Sequence, residues 1–147
     1  MDTFKIAKVN PDAKVPVRAT RGSAGLDLCA CIDAPITLPA GGTALVPTGI
    51  AIELPSEEMG AFIFARSGLA VKHGIGLLNS VGVIDSDYRG EIKVGLINQI
   101  NEPYTIEPGE RIAQMVIMPV CPLTPVEVDS LDKTDRGAGG FGSTGKN

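Results

Sequence analysis

The sequence predicts an all-β fold, a sandwich or a barrel, on three observations. Glycine and proline, 18 and 11 of the 147 residues, punctuate the chain at intervals of about eight to twelve residues, and the segments between are rich in Val, Ile and Leu. Apolar residues in those segments recur with period two, the signature of half-buried strands. No long amphipathic stretch exists, which excludes helix bundles and Rossmann folds. The length suits one domain with a real core, and no internal repeat or heptad pattern interrupts it.

Taken in order, the first telling element is GLDLCACI (25–32), read as a strand. Asp27 stands there between Leu26 and Leu28, where a carboxylate either pairs with an arginine or lies near a cation. Cys29 and Cys31 are two strand steps apart, about 6.6 Å. A disulfide wants Cβ atoms about 3.5–4.5 Å apart, so the pair is poorly placed for one. With Cys121 and the lone His73 they lack the paired spacing of a zinc site. Three reduced, mostly buried cysteines are expected. Val46, Thr48, Ile50, Ile52 and Leu54 alternate along what reads as one strand. GAFIFA (60–65) is apolar on both faces, so core or a partner subunit is expected on each side.

SGLAVKHG (67–74) is the one expected helix, with Ser67 as N-cap and Gly74 as stop. Its start, beside Arg66, offers free N–H groups and a full positive charge, a candidate anion site. In LLNSVGVIDSDYRGEI (77–92), Val81 and Val83–Ile84 read as strand and Asp85–Asp87 as turn. Asp85 follows an apolar run, the placement a general base needs at the edge of a dry pocket. Asp87 lies deeper in the turn, toward water. Either aspartate equally suits an Asx turn, and Tyr88 is either a site wall or a rim aromatic. Ile92, Val94 and Leu96 alternate against Glu91, Lys93 and Gly95 in the next strand.

Pro108–Gly109 makes a turn, after which a strand carries Arg111 and Gln114. An amide amid Ala113, Met115 and Val116 needs a specific partner, a ligand or a neighbouring backbone. From about Ser130 the apolar residues thin out. A compact domain over 1–130 and a flexible glycine-rich tail over 131–147 are expected. Ordering a residue costs about 1–2 kcal/mol, most for glycine, so a tail with only Phe141 to bury has no fold of its own. It can nevertheless wrap an anion with glycine N–H groups, the Arg136 fork and the Ser143 and Thr144 hydroxyls, while Phe141 offers a face to a ring. A flexible terminus without a role has the same composition.

The net charge of −4 argues against a protein that coats nucleic acid, and no apolar run approaches membrane-spanning length. The opening residues lack a basic region followed by an apolar stretch, so no leader is expected and the expected location is the cytoplasm.

Five strings in fixed order, AGLDLCA (24–30), ARSGLA (65–70), GVIDSDYRG (82–90), GERIAQMVI (109–117) and RGAGGFGSTG (136–145), resemble the motifs of the trimeric dUTP diphosphatase (dUTPase) family over nearly the whole chain. Ala138, where Ser or Thr is frequent, is a minor departure. The resemblance implies a jelly-roll-like β-barrel in a homotrimer, with sites at subunit interfaces closed by a neighbour's tail. It implies hydrolysis of dUTP, carried with Mg²⁺ on its triphosphate, to dUMP and diphosphate by water attack on the α-phosphorus. Such an enzyme lowers dUTP and supplies dUMP for thymidylate synthesis.

By motif match, Asp85 is the base and touches the 3′-OH, and Tyr88 packs on the deoxyribose. Asn79 and the backbone through Gly82, Val83 and Ile84 read the uracil, and Lys93 reaches the substrate. Arg66, Ser67 and Gly68 form the phosphate loop, and Gln114 contacts phosphate and water. Arg136 acts as an arginine finger, Phe141 stacks on uracil, and Gly142, Ser143 and Thr144 hold the γ-phosphate. No direct protein ligand to the metal is implied, with Asp27 near it or near an arginine. A dCTP deaminase shares the resemblance in fold but needs a glutamate base beside the pyrimidine. A non-catalytic protein that keeps a nucleotide-binding shell is a rival of another class.

Overall fold

The alternating segments fold as strands. A computed structural model describes residues 3–140, and among them are eleven strands and one helix. In chain order these are β1 (Lys5–Lys8), β2 (Leu26–Cys29), β3 (Ile36–Leu38), β4 (Thr43–Pro47), β5 (Ile50–Glu53) and β6 (Met59–Ala65). Next come α1 (Ser67–His73), β7 (Ile75–Leu77), β8 (Gly82–Ile84), β9 (Lys93–Asn98), β10 (Tyr104–Ile106) and β11 (Arg111–Pro119). All ladders are antiparallel, so the fold is all-β as expected.

A four-stranded sheet runs β2-β11-β6-β8 and a three-stranded one β4-β9-β7, with β1-β5 and β10-β3 as two-stranded ribbons. Inward residues of the larger sheet, Leu28, Ala61, Ile63, Ala113 and Met115, share one core with Val46, Ile75, Leu77, Val94 and Leu96. The period-two expectation is met in burial at Ile92, Val94 and Leu96. Val46, Thr48, Ile50, Ile52 and Leu54 are all buried as well, but Gly49 and Ala51 between them are buried too, and the expected single strand is two. Gly49 turns the chain with φ +68, a conformation only glycine adopts freely. The Thr48 hydroxyl donates to the Ile92 carbonyl at 2.6 Å, so Thr48 stays buried at the break in the ladder.

The helix falls where expected and ends at Gly74 in the left-handed region. Its N-cap, however, is Arg66, without a side-chain cap hydrogen bond, and Ser67 is the first helical residue. The arginine has other partners, described below. Only Leu69 of α1 is buried, so one side chain pins the helix to the core.

β6 has two different faces. Ala61 and Ile63 are in the core, whereas Phe62 and Phe64 are half-buried on the other side. Register places Phe62 between Val83 and Val116, and Phe64 beside Gln114, which is itself opposite Asp27. Paired residues point to one face. The outer face of the four-stranded sheet is therefore apolar in its middle and polar toward the β2 edge. Among the described residues regular structure ends at Pro119, and Leu123, Val126, Val128 and Leu131 beyond it are exposed. Cys29, Cys31 and Cys121 are free, and burial pushes the Cys29 and Cys31 thiols up. Among the described residues no helix is long and apolar enough to cross a membrane.

Candidate functional site

The segment from β7 to β9 builds one cleft because its residues are close in sequence. β8 pairs with β6, and β7 with β9, so the β7–β8 connection folds over both ladders. Ser80 there takes φ 63, an uncommon conformation for a residue with a side chain. The Ser80 N–H bonds the Leu77 carbonyl and the Val81 N–H bonds the Asn79 carbonyl. Below this turn lies a narrow slot of about 100 Å³, lined by Asn79, Gly82, Val83, Ile84 and Lys93 among others. It shares Val83, Ile84 and Lys93 with an open cleft of about 400 Å³ that adds Asp85, Tyr88, Glu91 and Leu45. Seven candidate residues, Asn79, Gly82, Val83, Ile84, Asp85, Tyr88 and Lys93, thus line one continuous surface.

Asp85 and Asp87 separate here. Asp85 lines both this cleft and an outer depression, whereas Asp87 lines only the depression, beside Glu57 and Arg89. The dry surroundings expected for Asp85 are not supplied by a single chain, since its side chain is exposed. Tyr88 donates its hydroxyl to the Glu91 carbonyl at 3.1 Å. Glu91 in turn accepts the Gly49 N–H at 2.9 Å and faces Lys93 Nζ at 3.7 Å.

A second cleft, of about 290 Å³, gathers residues far apart in sequence: Gly25, Asp27, Arg66, Ser67, Gly68 and Gln114. The neighbour order β2-β11-β6 explains it, because β2 carries Asp27, β11 carries Gln114 and the end of β6 leads into Arg66. Asp27 Oδ1 accepts Arg66 Nε at 3.0 Å, and Oδ2 accepts Arg111 Nη1 at 3.1 Å. Arg66 Nη1 also donates to the Arg111 carbonyl at 3.1 Å. The guanidinium is held on two sides, leaving further N–H groups for an anion. Gln114 donates Nε2 to the Ala65 carbonyl at 3.0 Å, so its amide partner is backbone, while its Oε1 lies against Gly25.

The two clefts share no lining residue. Arg136 lines none of them, and its Nε donates to Gly139 O within its own segment at 3.0 Å. Phe141, Gly142, Ser143 and Thr144 lie outside the described residues. Sequence reasoning missed Leu45, Glu91 and Gly25, and gave Arg111 no partner. Leu45 carried a signal, since a leucine at an outward-facing position of an alternating strand is out of place. Gly25 carried none, because only the approach of Gln114 reveals it.

The chain matches the family model described as dUTPase over residues 11–145. It is 56% identical over 143 residues to the deoxyuridine 5′-triphosphate nucleotidohydrolase of Desulfitobacterium hafniense, covering 96% of this chain and 95% of that one. It is 56% identical over 131 residues to the enzyme of the same name from Neisseria meningitidis, covering 89% and 87%. Among solved structures it resembles the Staphylococcus bacteriophage 80alpha dUTPase with dUPNHPP, with TM-score 0.88, 26% identity and 99% of both chains covered.

Proposed function

This chain belongs to the dUTPase family and is a hydrolase of dUTP, and we propose that the slot and cleft around Asp85 hold the deoxyuridine while the Arg66 cleft of another copy holds the phosphates. The observation that carries this reading is the meeting of Asn79, Gly82, Val83, Ile84, Asp85, Tyr88 and Lys93 on one surface. Uracil fits the slot, where backbone groups and the Asn79 amide face its polar edge and leave no space for a methyl. Cytosine presents an amine where uracil has a carbonyl, which sets donor against donor and is refused. Tyr88 lies against the deoxyribose and bars a 2′-hydroxyl.

Asp85 orients a water toward the α-phosphorus and takes its proton as the new P–O bond forms. The bond to the bridging oxygen breaks, and the products are dUMP and diphosphate. Base catalysis of this kind contributes about 10²–10⁴ in rate. Arg66, the Ser67 and Gly68 backbone and Gln114 bind and position the phosphates, where phosphoryl chemistry draws most of its acceleration. Arg136 from a neighbouring chain's tail adds charge in the manner of an arginine finger. Phe141 stacks on uracil, and Gly142, Ser143 and Thr144 take the γ-phosphate.

A homotrimer accounts for two features at once. The phosphate-binding and nucleoside-binding clefts of one chain are separate, and the outer face of the four-stranded sheet is apolar at Phe62, Phe64 and Val116. Stacking that face on a neighbour buries it and brings unlike clefts together. Water is then excluded around Asp85 by the assembly rather than by the chain.

Mg²⁺ fits as an ion that arrives on the triphosphate. Among the described residues no group of three or more His, Cys, Asp or Glu forms a cage, and Asp27, the carboxylate of the phosphate-binding cleft, already holds two arginines. Bound there, the ion would supply positive charge to the triphosphate. A deaminase reading needs a free glutamate at the pyrimidine, but Glu91 is engaged by the Gly49 N–H and Lys93. The test is hydrolysis of dUTP by the Asp85→Asn and Arg66→Ala variants, alone and mixed. Each alone should lose most dUMP formation, whereas dUMP formation at the parent rate by Asp85→Asn would remove Asp85 from the chemistry.

A further inference from the structure

The position of Tyr88 depends on what is missing two residues later. Its hydroxyl reaches back to the Glu91 carbonyl at 3.1 Å, so the ring crosses the backbone at Gly90. A methyl on Gly90 would sit 2.6 Å from Tyr88 Cζ and 3.0 Å from Cε2, and would collide with the hydroxyl oxygen. The turn itself is held firmly. The Tyr88 N–H bonds the Asp85 carbonyl at 3.1 Å, and Arg89 Nη1 donates to the Ser86 carbonyl at 2.7 Å and the Tyr88 carbonyl at 3.2 Å. Gly90 is not among the glycines with positive φ, so the backbone there accepts a side chain without strain. What must yield to a side chain at Gly90 is the tyrosine ring, and the ring is a wall of the cleft that holds Asp85 and Lys93.

We propose that Gly90 is a specificity-determining positioning residue: its bare Cα lets the Tyr88 ring fold back onto the Glu91 carbonyl, where it bars nucleotides that carry a 2′-hydroxyl. The proposal rests on the reading of Tyr88 as the sugar wall. Gly90 touches no substrate and acts only through the ring, so its removal should change discrimination between sugars more than it changes stability.

The experiment measures kcat/KM for dUTP and for UTP with the full chain, its Gly90→Ala, Tyr88→Phe and Tyr88→Ala variants, and the Gly90→Ala/Tyr88→Ala double variant. Apolar walls reject an added hydroxyl by about 10² at most, so Gly90→Ala is expected to lower the dUTP-to-UTP ratio by about tenfold or more. Tyr88→Phe frees the ring from its carbonyl anchor and is expected to lower the ratio about fivefold, the worth of one hydrogen bond. In the double variant Gly90→Ala should add nothing to Tyr88→Ala, since residues acting through one another are not additive. A ratio left unchanged by Gly90→Ala while Tyr88→Ala lowers it overturns the positioning role. Should Gly90→Ala fail to fold by circular dichroism, an unchanged ratio in Tyr88→Phe overturns it instead. A ratio unchanged in Tyr88→Ala overturns the sugar-wall reading underneath.

Discussion

Replacing Asp27 by asparagine disturbs two arginines at once. The amide oxygen can still accept Arg66 Nε, now without a negative charge. Its NH₂ must then face Arg111 Nη1, donor against donor. The Asp27 side chain is 16% exposed and Arg66 27%, so their bond is largely desolvated. A hydrogen bond with a charged partner contributes roughly 1.5–3 kcal/mol, and loss of one charge removes about half of that. Arg111 is 55% exposed, so solvent screening limits its share to less than about 1 kcal/mol. Together the loss is about 2 kcal/mol. For a chain of this length that lowers the melting temperature by about 4–8 °C. Thermal unfolding followed by circular dichroism at one fixed protein concentration reads the shift, and steady-state kinetics should show a raised KM for dUTP as Arg66 loses its aim. Melting curves that superimpose on the parent, with KM unchanged, would refute the clamp.

The Gly25→Ala variant places a Cβ 2.8 Å from Gln114 Oε1 and 3.2 Å from its Cβ. The amide must leave its place, so kcat/KM for dUTP should fall about ten- to a hundredfold, and a parental value would contradict the role given to Gln114. Tyr104 is pushed up to about 12 by burial first and then by its hydrogen bond to Glu110. A raised folded pKa adds stability that is full below the ordinary tyrosine value and is lost as pH climbs through the window from about 10 to about 12. Absorbance titration of a Tyr88→Phe variant, in which Tyr104 is the one remaining tyrosine, should show a midpoint near the upper end. A midpoint at the ordinary value would contradict the burial argument.

Much of this molecule can be read along the chain, and the rest fails for identifiable reasons. The cleft around Asp85 was legible because β8, its turn and the start of β9 are contiguous, so a motif of nine residues, GVIDSDYRG, carries much of its wall. The second cleft is spread over Asp27, Arg66 and Gln114, and which of the open partners Asp27 takes depends on β2 and β6 both flanking β11, an order no local pattern encodes. Period two hid the break at Gly49, since Thr48 stays buried on the core side through the turn. Ser67 looked like the helix cap because hydroxyls usually cap, but Arg66 occupies that place with its side chain turned to Asp27. Gly25 and Gly90 matter for atoms they lack, which composition cannot show.

The most direct measurement mixes two inactive proteins. Asp85→Asn and Arg66→Ala chains are unfolded together in equal amounts, refolded, and assayed for dUMP release. If each site joins the Asp85 cleft of one chain to the Arg66 cleft of another, random threefold assembly leaves about a quarter of the sites with both groups intact, and activity should return to about that fraction of the parent. Activity no higher than that of the two variants measured separately would mean that both groups act within one chain.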